Sequence, residues 1–400
     1  MVALTTHHTT VLTIRTRRCT AHRFATTLRH AAAYTNKITN NNLEPSFSSA
    51  WETGLDVKVL EGRVGLDLTY FESLDGPGIY ELPISEASGY TSALVNGIKT
   101  QRRGWEAIIK ATPFSNPQGF SWDVTVNWST YREYIKEVYP GSNINYIDNF
   151  RQVGERIDQF WGTGLVRTDD GEIVNTSDGR PIPLTSLNGN SRTFLGYTNP
   201  DWTWGINNRL SYKNVSLSFL FDGRVGGVIA DYIQQQTFRG GRHIETVQGE
   251  MGEARYQDYI GVKSLVGPGV QVTSGTPVVD NEGHITNMNE LTFAPNATPT
   301  FLQDWISRNY NTNEQNIISR TFTKLREVSL TYNFPASVLQ KSFIKRASVS
   351  LIGRNLLYFA EKKDIDIEQY GNYLTPGSGL QTPSMRRYGI NINFTFKRYA

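Results

Sequence analysis

The feature that most constrains the fold is a repeated alternation of apolar and polar residues along the chain. In the stretch TGLDVKVLEGRVGLDLTYFES (residues 53–73), Leu55 and Val57 share one strand face, and Asp56 and Lys58 share the other. This period of two is typical of β-strands, whose successive side chains point to opposite faces. The chain has no continuous apolar run long enough for a transmembrane helix, so we expect none.

Comparable alternation recurs to the end of the chain, and the connections between the alternating segments differ in length. The segments are residues 51–59, 64–70, 104–113, 119–129, 201–212, 215–223, 322–335, 347–357 and 388–396. Short connections (61–62, 113–119, 213–214 and 335–345) alternate with long ones (74–103, 131–200, 224–320 and 358–387). A soluble sandwich has no reason to keep this order, whereas an outer-membrane barrel has tight periplasmic turns and long extracellular loops.

Composition is consistent with a transmembrane barrel. Charged residues make up 19% of the chain and aromatic residues 12%, which favours strands. Strands of about ten residues span a bilayer when they are tilted. We therefore predict an all-β fold, an antiparallel transmembrane β-barrel, in which these polar residues face a wet lumen: Asp56, Lys58, Asp67, Glu106, Lys110 and Asp123. Periodicity alone leaves a soluble β-sandwich open, because its apolar faces would pack together.

Residues 1–38 differ in composition from the rest of the chain. They hold five Arg, one Lys and no Asp or Glu. Removing these six cations from the 40 of the whole chain leaves 34 against 37 acidic residues, so the formal charge of +3 becomes −3. We interpret residues 1–38 as a non-native or disordered leader and residues 39–400 as the barrel domain. No clustered basic face suggests a nucleic-acid partner.

Several ordered motifs resemble those of the SusC/RagA type of TonB-linked outer-membrane receptor. Residues 40–73 are similar to its Asn-Leu-(Lys/Glu)-Pro motif and to the two Gly-Leu-Asp strands that follow. Residues 82–113 resemble its Pro-x-Ser-x-Ala-x-Gly-Tyr-x-Ser loop and Gly-x-Glu strand. Residues 195–227 resemble its Leu-Gly-Asn-x-Asn-Pro-Asp hairpin, with Tyr197 where Asn is usual. The segments FTKLREVSLTYNFP and GRNLL resemble its terminal signature, so the resemblance covers about residues 38–400.

The resemblance implies a nutrient importer of a Gram-negative outer membrane. Its implied partners are a SusD-like surface lipoprotein, TonB, a glycan or peptide ligand and membrane lipid. A complete relative is expected to have about 22 strands, whereas the alternating segments here suggest nine or ten. Plug, TonB box and amino-terminal extension have no counterpart in the motifs. We therefore expect a carboxyl-terminal barrel fragment that does not transport on its own.

One long connection contains aromatic residues that are candidates for ligand contact. The set comprises Tyr139, Tyr146, Phe150, Phe160 and Trp161. Exposed rings could stack on sugars or hold a peptide, and the ligand-contact candidates are Tyr146, Phe160 and Trp161. The alternative is that the rings fold the loop down over the lumen, since long loops usually pack on themselves.

An acidic loop, RTDDGEIVNTSDGRPI (residues 167–182), raises the possibility of a cation site. It contains Asp169, Asp170, Glu172 and Asp178, and calcium prefers such oxygen ligands. Their spacing does not fit the EF-hand loop, and the Asp-Gly pairs are typical of turns. We therefore predict no cofactor or metal at Asp169–Asp178, and no catalytic residue. The competing hypothesis for the whole chain is a secreted β-sandwich that binds carbohydrate or hydrolyses glycosides.

Overall fold

A computed structural model describes residues 36–116, 118–139, 147–368 and 384–397. Residues 1–35 of the predicted leader lie outside this range. The last two leader residues, Lys37 and Ile38, form the short strand β1, which pairs in parallel with Ser92 and Ala93.

The described chain is rich in strands. After β1 (Lys37–Ile38), the strands are β2 (Phe47–Val59), β3 (Val64–Gly76), β4 (Ile79–Pro83), β5 (Ser92–Asn96), β6 (Ile98–Phe114), β7 (Phe120–Val138), β8 (Gln159–Gly162), β9 (Val174–Asn175), β10 (Thr193–Tyr197), β11 (Trp202–Tyr212), β12 (Val215–Val225), β13 (Val228–Ala230), β14 (Val270–Ser274), β15 (Thr292–Pro295), β16 (Ile317–Ser319), β17 (Phe322–Asn333), β18 (Ile344–Ala360) and β19 (Arg387–Phe396). The α-helices are α1 (Leu184–Leu187), α2 (Tyr232–Arg239), α3 (Gly249–Tyr259), α4 (Leu302–Asn309) and α5 (Ala336–Leu339). No helix in the described ranges combines the length and apolar character that crossing a membrane requires.

Nine long strands form one sheet in the order β19-β18-β17-β12-β11-β7-β6-β3-β2. Each of the nine alternating sequence segments corresponds to one of these strands, and the strand pairs with described register are antiparallel. Short and long connections alternate as predicted. Over the described residues the sheet is open, with β19 and β2 as its edges, so the closure that the barrel prediction requires is not seen.

The strand register collects polar and apolar residues on separate faces. On one face, Trp204 lies opposite Trp128, and Leu217 lies opposite both Leu210 and Leu330. On the other face, Thr203 lies opposite both Ser129 and Arg224. We call this second face the polar face. Because side chains alternate strictly in a strand, a one-residue slip would mix the two sets.

The apolar face of the sheet is not packed against a second sheet in the described part of the chain. Leu351 is 54% exposed, Ile390 69% and Leu55 55%. A β-sandwich would bury such residues between its sheets. The structure therefore counts against the sandwich hypothesis.

The described residues form two compact units. The first comprises residues up to Gly54, Thr69–Trp105 and Tyr131–Ile157. It contains a small buried cluster of Ile98, Ile135 and Val138. The second comprises Leu55–Leu68, Glu106–Thr130 and the chain from Asp158 onward.

The long connections of the second unit have hydrophobic cores of their own, which the sequence interpretation did not predict. One core combines residues from 159–201 with residues from 262–300: Val166, Val174, Ile182, Leu184, Val270, Val279, Ile285 and Leu291. Another surrounds helices α2, α3 and α4: Phe238, Ala254, Leu265, Leu302, Trp305 and Ile306. These connections are compact structures with helices and short strands, and not simple loops.

Candidate functional site

The polar face carries a cluster of charged side chains centred on Lys324 in β17. Lys324 is only 1% exposed. Its Nζ donates to both carboxylate oxygens of Asp366, at 2.7 and 2.9 Å, and to Oε2 of Glu368 at 2.7 Å. An unpaired ammonium group would be strongly disfavoured at this depth. The two carboxylates are therefore what makes the buried position of Lys324 tolerable.

Arg326 extends this ionic cluster across the sheet to β12. Its Nε and Nη2 atoms donate to the carboxylate of Asp222 at 2.5 to 3.1 Å, and Nη1 donates to Oε2 of Glu368 at 2.9 Å. The pairing of β17 with β12 and with β18 shifts register at Arg326. Such bulges redirect side chains near functional sites. Because of this bulge, Arg326 and the next residue, Glu327, both lie on the polar face.

The segment after β18 is held on the polar face by apolar contacts as well as by charge. Ile365 and Ile367 are buried in a cluster with Ile229, Ile318 and Phe322. The Ile367 amide donates to the Tyr358 hydroxyl at 3.1 Å, and Lys362 pairs with Asp231. We call residues 361–368 the inner segment.

Two carboxyl groups of the inner segment, those of Asp366 and Glu368, stay ionised at neutral pH. Burial acts to raise the pKa of Asp366, but hydrogen bonds led by that from Lys324 outweigh it and hold the pKa below its ordinary value. Burial likewise acts to raise the pKa of Glu368, and hydrogen bonds from Arg326 and Lys324 bring it below the ordinary value. The ionic cluster is thus stable as charged pairs.

A cavity of about 510 Å³ adjoins the ionic cluster, within the volume range of small-ligand sites. Its walls come from β6, β7, β11, β12, β17 and the inner segment, and it is lined by Glu106, Ala107, Ile108, Asn127, Trp128, Ser129, Thr203, Trp204, Gly205, Asp222, Gly223, Arg224, Phe322 and Glu368. Gly205 leaves its floor open, since a Cβ atom there would meet no atom nearer than 3.8 Å.

Two charged residues of the cavity, Arg224 and Glu106, form no ion pair within the described part of the chain. The guanidinium of Arg224 lies 4.8 Å from the centre of the Phe322 ring, a cation–π arrangement. Among the residues that the structure describes, no acceptor is hydrogen-bonded to its N–H groups. The nearby carboxylate of Asp222 accepts from Arg326, and that of Glu368 accepts from Lys324 and Arg326. Glu106 is exposed and has no ion pair in the same described ranges.

The predicted lumen residues differ in their surroundings, and Glu106 is the one of the six that lines the cavity. Asp56 and Lys58 lie 3.5 Å apart on β2. Asp123 accepts a hydrogen bond from Thr112 at 2.8 Å. Asp67 and Lys110 are exposed.

The aromatic candidates are distributed over different environments. Tyr146 lies outside the described residues, and Phe160 is 9% exposed. Trp161 lies 5.5 Å from Phe194, which in turn lies 5.3 Å from Tyr197. The pairing of β8 with β10 thus creates an aromatic group that the sequence spacing did not reveal. Ligand contact by Tyr146, Phe160 and Trp161 stays a prediction.

The acidic loop contains the turns that its Asp-Gly pairs predict. Gly171 and Gly179 have φ values of +84° and +80°, which glycine adopts readily. Asp178 pairs with Arg180. Burial acts to raise the pKa of Asp178, but the hydrogen bonds from Arg180 and Thr176 keep it below its ordinary value. Within the described ranges, no three His, Cys, Asp or Glu residues form a group suited to a metal.

The sequence interpretation missed the residues of the ionic cluster. The available signal was the pair of charges two positions apart at Asp222 and Arg224, and again at Lys324 and Arg326, each on the polar side of a strand. Their partners Asp366 and Glu368 lie 42 and 44 residues beyond Lys324. Sequence spacing gave no reason to predict that this segment contacts Lys324 on the polar face.

Comparison with known sequences shows which proteins this chain is similar to. No protein-family profile matches the sequence. The chain is 24% identical over 391 residues to TonB-dependent receptor P3 of Formosa agariphila, covering 89% of this chain and 35% of that protein. It is 25% identical over 203 residues to TonB-dependent receptor SusC of Bacteroides thetaiotaomicron, covering 46% of this chain and 20% of that protein.

Solved structures agree with the sequence relatives. The RagAB peptide transporter matches with a TM-score of 0.57 and 19% identity, over 87% of this chain and 35% of that chain. The closed-closed state of the RagAB peptide importer matches with a TM-score of 0.59 over 89% of this chain.

The relatives are TonB-dependent receptors and transporters, and not enzymes. The predicted resemblance to the SusC/RagA type of TonB-dependent receptor is confirmed. The chain spans about a third of the length of TonB-dependent receptor P3 and of the RagAB chain, and a fifth of the length of SusC.

Proposed function

We propose that this chain forms part of the wall and the extracellular loops of a TonB-dependent importer in the outer membrane of a Gram-negative bacterium. The observation that carries the proposal is the separation of the nine-stranded sheet into a polar face and a bare apolar face. An apolar face of this kind suits lipid, and a polar face suits a water-filled lumen. The proposed barrel is larger than this open sheet and needs strands beyond those described.

The imported nutrient in this proposal is an oligosaccharide or a peptide. The similarity to a peptide importer supports a peptide, and the similarity to SusC supports import through the same type of receptor. We further propose a SusD-like surface lipoprotein as the partner at the long connections. TonB would act through a part of the receptor that this chain does not match. On this view the chain alone does not transport.

Membrane partitioning tests the proposed environment of the two faces. The chain is expressed with a bacterial export signal, and the outer-membrane fraction is collected. Leu66→Lys places a charge on the apolar face of β3, which costs roughly 2–4 kcal/mol near the bilayer midplane. We expect it to abolish membrane assembly.

Asp67→Lys is the matched control, because it places the same side chain on the polar face one residue away. We expect it to assemble as the unaltered chain does. Equal effects of the two substitutions would refute the assignment of the faces. A soluble, monomeric and folded product from the unaltered chain would refute the lipid-facing role of the apolar face.

A further inference from the structure

Arg224 and Glu106, which form no ion pair among the described residues, have opposite charges and lie on different strands of the cavity wall. Arg224 belongs to β12 and Glu106 to β6, and the sheet order separates these strands by three steps. With neighbouring strands about 4.8 Å apart, the two backbones are roughly 14 Å apart. The floor between them is neutral and polar, from Asn127, Ser129 and Thr203.

A ligand that matches this arrangement has an anionic group at one end and a cationic group at the other. Arg224 retains guanidinium donors in the geometry that binds a carboxylate in a bidentate manner. Glu106 offers a carboxylate to an ammonium group. The hydroxyl and amide groups of the floor can form hydrogen bonds with the amide groups of a ligand between the two charged residues. Ser129 Oγ and Thr203 Oγ1 lie 2.8 Å apart.

We propose that this cavity binds a short peptide with free termini, its carboxylate at Arg224 and its ammonium group at Glu106. An extended chain spans about 3.3–3.6 Å per residue, so a peptide of about four residues matches the separation. The ionic cluster supports this site, because Lys324 and Arg326 occupy the neighbouring carboxylates and leave Arg224 available. The site rests on the proposed function, since it would hold a nutrient at the lumen wall.

Isothermal titration of the membrane-assembled chain in detergent tests the proposal with tetra-alanine as the probe. We expect amidation of the peptide carboxyl or acetylation of its amino group to weaken binding about tenfold to a hundredfold, the range for a hydrogen bond to a charged group. Equal affinity of the free and the doubly blocked peptide would overturn the proposal. These comparisons leave the protein unchanged, so they do not depend on the folding of a variant.

Protein variants then assign each terminus to its residue. In Arg224→Gln, amidation should change affinity less than threefold, whereas acetylation should keep its full effect; Glu106→Gln should show the reverse. Arg209→Gln and Asp67→Asn are the controls, because both residues are exposed on polar strand positions outside the cavity. Additive effects of Arg224→Gln and amidation would overturn the contact, because interacting groups are not additive.

Two further arms test the location and the ligand class. Gly205→Leu fills the cavity floor and should weaken tetra-alanine binding at least tenfold; unchanged binding would refute the location. Maltotetraose and tetragalacturonate replace the peptide by a neutral and an acidic oligosaccharide. Tighter binding of either one would refute a peptide site. Membrane assembly of the same preparation reports separately on the proposed function, so a failure of binding and a failure of the barrel are distinguishable.

Discussion

The nine-stranded sheet and the long connections treat apolar residues in opposite ways. On the sheet, large apolar residues such as Leu351 and Ile390 are more than half exposed. In the long connections, residues such as Val174 and Ile306 are 0% and 1% exposed. A soluble domain would show the reverse, with its main sheet at the core and its loops exposed. The comparison indicates that the sheet needs another apolar phase, whereas the connections fold as water-soluble structures do.

The polar face of the sheet joins these two regions through the inner segment. Ile365 and Ile367 of the inner segment pack with Ile229 and Ile318 from the long connection between β12 and β17. Its carboxylates bind Lys324 and Arg326 on the sheet. Charge on the sheet and apolar packing in the connections therefore meet at one place, next to the cavity.

The largest expected effect comes from removing the buried ammonium group. Lys324→Met leaves the Asp366 carboxylate buried without its cation, and breaking a buried pair costs about 3–5 kcal/mol. The measurement is urea unfolding of the chain in detergent. Lys110→Met, at an exposed strand position, is the control, with an expected change within about 0.5 kcal/mol. Recovery of most of the loss in Lys324→Met with Asp366→Leu would confirm the cause; an unchanged unfolding midpoint in the single variant would refute it.

The sheet was predictable from the sequence because its physical rule is local. Alternation in residues 119–129 and 215–223 marks two faces and needs no knowledge of neighbours. The strands extend further at the ends that join long connections, where β7 continues to Val138. There charges lie on both faces, and the Arg102–Glu133 and Lys99–Glu137 pairs lie beside the buried residues Ile98, Ile135 and Val138. Alternation therefore stops before the strand does.

The cores of the long connections and the cavity were not predictable by the same rule. Val174 meets Val270 because β9 pairs in parallel with β14, across 96 residues of chain. Arg224 and Glu106 come to one cavity because four strands lie in a particular order. Such contacts depend on tertiary pairing, for which a single sequence has no local signal.

A matched pair of truncations tests the difference between the two regions directly. Ile306→Ala removes a side chain that is 1% exposed in the core around α4, and such truncations cost about 2–5 kcal/mol. Leu351→Ala removes one that is 54% exposed on the apolar face, and we expect a loss below about 1 kcal/mol. Urea unfolding in detergent measures both. Losses of similar size would contradict the opposed burial of the two regions.

Asp366 and Glu368 of the inner segment should contribute to the pH dependence of stability. The folded-state pKa values of Asp366 and Glu368 lie below their ordinary values, so their ionisation favours the folded state at neutral pH. This contribution is complete above the ordinary carboxyl pKa of about 4 and is lost as the pH falls through the lower folded values.

The double variant Asp366→Asn with Glu368→Gln is the reference for this effect. Its deficit in unfolding free energy against the unaltered chain should be largest at pH 7 and should shrink below about pH 4. A deficit that stays constant from pH 7 to pH 3 would show that the carboxyl charges are not the cause.

The smallest expected change in the free energy of unfolding comes from a substitution in a short turn, which, unlike the long connections, has no hydrophobic core of its own. The turn between β11 and β12 consists of Lys213 and Asn214, and Lys213 has a φ of +50°. A left-handed conformation costs a residue with a side chain roughly 1–2 kcal/mol, whereas glycine adopts it freely but loses about 0.5–1 kcal/mol in entropy. Lys213→Gly should therefore stabilise the chain by about 0.5–1 kcal/mol in urea unfolding. Asn214→Gly is the control, because Asn214 is not among the described residues with positive φ; it should give no gain. A gain at Asn214 equal to that at Lys213 would contradict the assignment of backbone strain to Lys213.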